Sequence, residues 1–103
     1  MCAGGFNDIL DGSEKLGGRP KSVCQMNEFH DVLDDCGLQD LGFLGPHFTW
    51  CNRREGLDMV QERLDRCVCN FHWANMFPAT TVSHLEYWWS DHRPLLIDVC
   101  HSL

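Results

Sequence analysis

Ser90-Asp91-His92-Arg93-Pro94 sets a hydroxyl, a carboxylate, an imidazole and a guanidinium in one turn, directly before the apolar run Leu95-Leu96-Ile97. A turn that feeds a buried strand is a firm place from which to present chemistry. Alone, Ser-Asp ahead of a proline is also ordinary turn chemistry. Two further polar positions sit at predicted strand ends: Asn7, after Gly4-Gly5-Phe6, and Asp65, within Arg63-Leu64-Asp65-Arg66. A carboxylate that fixes the tautomer and orientation of a histidine improves it as a partner for phosphate. A second carboxylate can hold a metal that stabilises charge on phosphoryl oxygens. Asp65 and Asp91 would divide these roles around His92, while Asn7 donates to the phosphate or positions a water. Phosphodiester hydrolysis is the chemistry such a set would serve.

The elements that must position these groups follow from pattern. Residues 1–6 are small and apolar, which predicts a buried strand delivering Asn7 and Asp8 at its end. Residues 11–22 hold three glycines, one proline and mixed charge, the composition of a mobile loop. Ser22 reads as an N-cap for a helix to about residue 36, with Met26, Phe29, Val32, Leu33 and Cys36 on its apolar face and Gly37 as its stop. Its acidic residues, Asp31 and Asp34 among them, read as a solvated face. Residues 38–43 predict a brief extended segment, 48–51 a strand, 52–56 a hairpin-like turn and 62–68 a strand. A short helix over 70–77 ends at Pro78, and a strand follows over 80–85. Tyr87-Trp88-Trp89 is an aromatic cluster, read as core packing, with a stacking surface for an unpaired base as the alternative. Residues 93–99 predict a fully buried final strand.

Composition sets bounds on the function. At 103 residues and 44% hydrophobic content the chain is one globular domain or a piece of one. No apolar run reaches the roughly 18 residues of a membrane span, and no secretion signal is visible, so a soluble, intracellular protein of nucleus or cytoplasm is expected. Seven cysteines are an odd number, and without a secretion signal they read as reduced thiols. Cys67, Cys69 and His72 offer part of a zinc site, but no second Cys/His pair completes one. A net charge of -7 weakens attraction to nucleic acid. It leaves a metal-dependent phosphodiesterase possible, because a bound cation reverses the local field.

Gly4-Gly5-Phe6-Asn7, Phe48-Thr49-Trp50, Arg63-Leu64-Asp65-Arg66 and Ser90-Asp91-His92-Arg93-Pro94, in this order, resemble the closing motifs of the endonuclease/exonuclease/phosphatase family. More narrowly, residues 2–99 are similar to the endonuclease domain of LINE-type non-LTR retrotransposons abundant in plant genomes. The resemblance implies an α/β fold: the C-terminal portion of a four-layer, DNase I-like sandwich, incomplete here, with a mixed sheet and two helices. It also implies Mg²⁺-dependent cleavage of DNA. His92 would contact the scissile phosphate, Asp65 would orient it, Asp91 would be a metal ligand and Asn7 the active-site asparagine.

Two departures stand against the matches. Gly5 occupies the place of the family's water-activating Asp, and a glycine can neither ionise nor accept a proton. Asp8, an odd offset along the same strand, would face the other way. The family's N-terminal half has no counterpart, and the abrupt start at residue 1 leads to the same expectation. The expectation is therefore a catalytically impaired remnant, with a non-catalytic binding module or a non-functional gene fragment as the alternative. An uncovered sheet face would favour self-association.

Overall fold

In the computed structural model, which describes residues 1–87 and 90–99, eight strands and two helices form. In chain order they are β1 (Cys2–Gly5), β2 (Lys15–Leu16), α1 (Val23–Asp35), β3 (Leu38–Asp40), β4 (Trp50–Cys51), β5 (Gln61–Glu62), β6 (Asp65–Asn70), α2 (Phe71–Met76), β7 (Thr81–His84) and β8 (Leu95–Asp98). The result is a small α/β fold with three antiparallel sheets, ordered β1-β6-β3, β2-β5-β4 and β7-β8. Separate small sheets replace the mixed sheet expected from sequence.

β6 is the centre. Arg66, Cys67, Val68 and Cys69 are all fully buried, so both faces of this strand are covered. β1 and β3 flank it antiparallel, with Gly5 opposite Asp65 and Asp40 opposite Val68. β5 and β6 are separated only by Arg63-Leu64, so the chain passes from one sheet to the next at that point. Asp65 is the first residue after the crossing. The expected single strand over 62–68 is thus two strands in two sheets.

Local signals set α1. Ser22 caps it by accepting from the Gln25 N–H at 3.5 Å, and Gly37, at φ +66, ends it in the left-handed conformation that glycine adopts at no steric cost. Its buried stripe is narrower than its periodicity suggests. Leu33 is buried and the Phe29 ring meets Phe6 at 5.7 Å, but Val32 and Cys36 face solvent. α2 is capped by Asn70, which accepts from the Trp73 N–H at 2.8 Å. β4 and β5 pair as expected of a hairpin, although the connection runs from 52 to 60 and contains a 3-10 turn at Gly56–Asp58.

Three expectations fail for identifiable reasons. β1 is an edge strand with Cys2, Ala3 and Gly5 exposed, since it packs against β6 on one side only. β8 begins at Leu95 and alternates half-buried with exposed residues, because it pairs only with β7. The stretch 11–22, expected as a mobile loop, contains the 3-10 turn Gly12–Glu14 and β2. Glu14 is buried there against two arginines.

Those arginines form the fold's buried charge cluster. Arg66 donates from Nη2 to Glu14 Oε1 and from Nη1 to Asp40 Oδ2, both at 2.8 Å. Arg63 donates from Nη1 to Glu14 Oε2 at 2.8 Å and from Nη2 to Asp40 Oδ1 at 2.9 Å. Two cations and two anions cancel, and the cluster ties the 11–16 segment and β3 to the β5–β6 crossing. Burial pushes the carboxyls of Glu14 and Asp40 up. Hydrogen bonds and charge from the two arginines, with backbone N–H donors, outweigh burial and hold both below the ordinary carboxylate range. Asp65, which could have paired with Arg63 or Arg66, is left to a different partner.

Candidate functional site

Asp65 and His92 meet at the sheet crossing. Asp65 Oδ2 lies 2.7 Å from His92 Nδ1. A carboxylate only accepts, so Nδ1 carries the hydrogen and Nε2 is left on the other edge of the ring. The Asp65 side chain is 12% exposed and that of His92 36%, so the anchoring group is the deeper one and the imidazole opens to solvent. Asp91 stands on the open side: its Oδ1 is 3.9 Å from Nε2, beyond hydrogen-bond length, while its Oδ2 accepts from the Trp50 indole N–H at 3.1 Å. Ser90 Oγ accepts from the His92 backbone N–H at 3.1 Å and closes the turn.

The backbone explains the meeting. The chain near His92 runs beside β4: Trp50 and His92 form an antiparallel bridge, the Cys51 N–H donates to the Asp91 carbonyl at 3.2 Å, and the Arg93 N–H donates to the Thr49 carbonyl at 2.6 Å. Arg93 spends its side chain on carbonyls, from Nε to Phe48 and from Nη1 to Leu85, and lies 4.2 Å above the Tyr87 ring. These contacts occupy the guanidinium within the fold. Tyr87 is half-buried, and the other members of the aromatic cluster, Trp88 and Trp89, lie outside the described residues.

The other expected site residues are placed differently. Asn7 follows β1 at positive φ (57°), exposed and without a side-chain hydrogen bond to any described residue. The structure brings Asp65, Asp91 and His92 together and leaves Asn7 at the end of β1, with no side-chain hydrogen bond to any of the three. Asp8 lies beyond β1, so strand alternation does not govern it. Its carboxylate pairs with Lys21 at 3.4 Å. Gly5 faces the site directly: a Cβ built on it would sit 3.0 Å from Asp65 Oδ1.

No protein-family model, curated protein or solved structure matches this chain.

The donors do not form a metal cage. Asp91 has one oxygen engaged by Trp50, and among the described residues no three ligand atoms gather around Asp65, Asp91 and His92. Cys67 and Cys69 are buried in β6 while His72 is exposed on α2, so the zinc reading finds no assembled site either. Burial pushes the Cys67 thiol up, away from the thiolate that zinc needs. His30, Asp31 and Asp34 do gather, but on the exposed face of α1, as a solvated surface. The six described cysteines are all free, and no helix among the described residues is long and apolar enough to cross a membrane.

Two residues at the site escaped the sequence reading. Thr49, fully buried, accepts through Oγ1 from the backbone N–H groups of Leu64 and Asp65 at 2.9 and 3.0 Å. Trp50 donates to Asp91. Both lie in the Phe48-Thr49-Trp50 motif, and a polar Thr in an otherwise apolar strand was the available signal. A cavity of about 360 Å³ lies elsewhere, lined by Ile9, Lys15, Gly17, Lys21 and Met26 among others, and includes none of the Asp65, Asp91 and His92 set.

Proposed function

We propose that this chain is the C-terminal part of a Mg²⁺-dependent phosphodiesterase of the endonuclease/exonuclease/phosphatase type. In this reading it is a DNA endonuclease domain of a LINE-type retrotransposon, catalytically impaired as it stands, and the fold is part of a DNase I-like sandwich. The observation that carries the reading is the 2.7 Å contact between Asp65 and His92, which joins two of the four resembling motifs around one imidazole.

In this reading His92 Nε2 meets a non-bridging phosphate oxygen, and donates to it when the ring is protonated. Asp65 keeps the ring in that orientation and stabilises the imidazolium. Mg²⁺ belongs to the reading by resemblance, with Asp91 as its contact. One carboxylate falls short of a closed site, so no step is routed through the ion. The group that would activate water is absent, because Gly5 has no side chain. Losing such a group typically costs about 10²–10⁴-fold in rate.

The Gly5 observation also supports the second reading, a binding module without catalysis. A plasmid-nicking assay with Mg²⁺ separates the two. The impaired enzyme should nick slowly and stop nicking as His92→Ala; nicking that is absent, or unchanged by His92→Ala, removes this pair from any catalytic role. DNA as partner rests on the same assay, because the charge of -7 gives it no electrostatic support.

A further inference from the structure

We propose that Thr49 and Trp50 are positioning residues which together set the proton of His92 on Nδ1 and keep Nε2 open. The proposal deepens the phosphodiesterase reading and rests on it for the purpose of the arrangement, though not for its test.

The two members of the pair come from segments that are distant in sequence, and Thr49-Trp50 is where both are tied down. On one side the Thr49 hydroxyl accepts from the Leu64 and Asp65 N–H groups. These sit at the crossing from β5 to β6, where the strand pairing that would otherwise use such donors is interrupted. The hydroxyl therefore fixes the backbone from which the Asp65 carboxylate projects. On the other side the Thr49 carbonyl accepts from the Arg93 N–H at 2.6 Å, and Trp50 bridges to His92. One buried residue thus sets the separation between the carboxylate and the imidazole.

Trp50 acts on the competing carboxylate. Asp91 Oδ1 stands 3.9 Å from His92 Nε2, within a small rotation of a hydrogen bond. Such a bond requires a hydrogen on Nε2, and it would favour the opposite tautomer and occupy the edge that faces solvent. The indole N–H, at 3.1 Å from Oδ2, holds Asp91 back from that rotation. Asp65 then has no rival for the ring proton, and Nε2 remains available to an incoming anion.

The test is the imidazole nitrogen spectrum of the ¹⁵N-labelled full chain at about pH 8, above the ordinary histidine range, where the neutral tautomers are distinguished directly. The expected wild-type signature for His92 is the Nδ1–H form. Thr49→Val, which keeps the β-branch and removes the hydroxyl, should lose that signature in favour of Nε2–H, and Thr49→Ser should retain it. Trp50→Phe, which keeps a ring and removes the N–H, should move the population toward Nε2–H. A wild-type pattern in both Thr49→Val and Trp50→Phe overturns the proposal, as does a Thr49→Ser pattern matching Thr49→Val. If Thr49→Val does not fold, Trp50→Phe decides it: a wild-type pattern there overturns the proposal, as does loss of the Nδ1–H signature in Thr49→Ser. A chain that nicks no DNA but shows the expected spectra retires the nuclease reading alone; the reverse result retires the positioning alone.

Discussion

Asp65 Oδ2 holds His92 Nδ1 at 2.7 Å, and the two residues are 27 positions apart in the chain. The carboxylate brings charge as well as shape: it accepts the Nδ1 hydrogen and sets a negative group against the ring. An amide in its place accepts equally well through oxygen but brings no charge. Any nicking activity in this chain should therefore fall by about 10²–10⁴-fold in Asp65→Asn, the usual contribution of an acid–base group. Plasmid relaxation rates at matched protein concentration check it; a rate within twofold of wild type would mean that Asp65 only anchors the turn.

Gly5 offers a second handle on the same pair. Its φ is not in the left-handed region, so a side chain is permitted by the backbone, but the new Cβ would come within 3.0 Å of Asp65 Oδ1. Gly5→Asp and Gly5→Asn share that crowding and differ by one charge placed beside a carboxylate. The Asp variant should be less stable than the Asn variant at neutral pH, by on the order of 1 kcal/mol for a partly screened pair. The difference should close as acid protonates one carboxyl, and should narrow with Mg²⁺ if the two carboxylates share the ion. Urea midpoints for both variants, with and without Mg²⁺, give the answer.

What the sequence made legible was what local chemistry decides. Ser22 and Gly37 bracket α1 because a cap and a stop act on neighbouring residues. The meeting of Asp65 with His92 was foreseeable from polar groups at strand ends and from the resemblance of their motifs, since no periodicity links residues so far apart. Glu14 was misread as part of a mobile loop because its burial depends on Arg63 and Arg66, 49 and 52 positions further on. β1 was misread as buried because small apolar residues look the same at an edge as in a centre. Thr49 was passed over because its hydroxyl looks like ordinary strand polarity until the β5–β6 crossing is known.

The buried cluster of Glu14, Asp40, Arg63 and Arg66 should make the fold intolerant of losing any single charge. Glu14→Gln leaves two buried guanidinium groups facing one carboxylate, and breaking a buried pair in this way typically costs about 3–5 kcal/mol. Glu14→Leu combined with Arg66→Met removes one charge of each sign and should cost less than Glu14→Gln alone. Both carboxyls titrate below their ordinary values of 4.5 and 3.8 in the folded chain. The cluster's contribution is therefore fully present above those values and is lost as pH falls through the depressed folded ones. Denaturant midpoints of the three proteins, and an acid titration of the wild type, measure both effects.

His84 should add a separate loss of stability at a higher pH. The side chain is buried, stacked face to face on Phe43 at 4.3 Å, and its Nδ1 donates to the Pro46 carbonyl at 2.6 Å, which leaves Nε2 without a hydrogen or a partner among the described residues. Burial pushes its pKa below the ordinary 6.5; the Pro46 carbonyl opposes this, and the charges of Arg63 and Arg93 add to the lowering. The unfolded chain thus takes up a proton at His84 before the folded chain does. Stability falls as pH drops from about 6.5, by at most about 1.4 kcal/mol per pH unit while only the unfolded form is protonated. His84→Phe preserves the stacking and removes the titration, at the expense of the Pro46 bond. It should be less stable than wild type at neutral pH, and its urea midpoint should stay flat between about pH 7.5 and 5.5 while that of wild type declines. Parallel slopes for the two proteins across that window would assign the decline to another group.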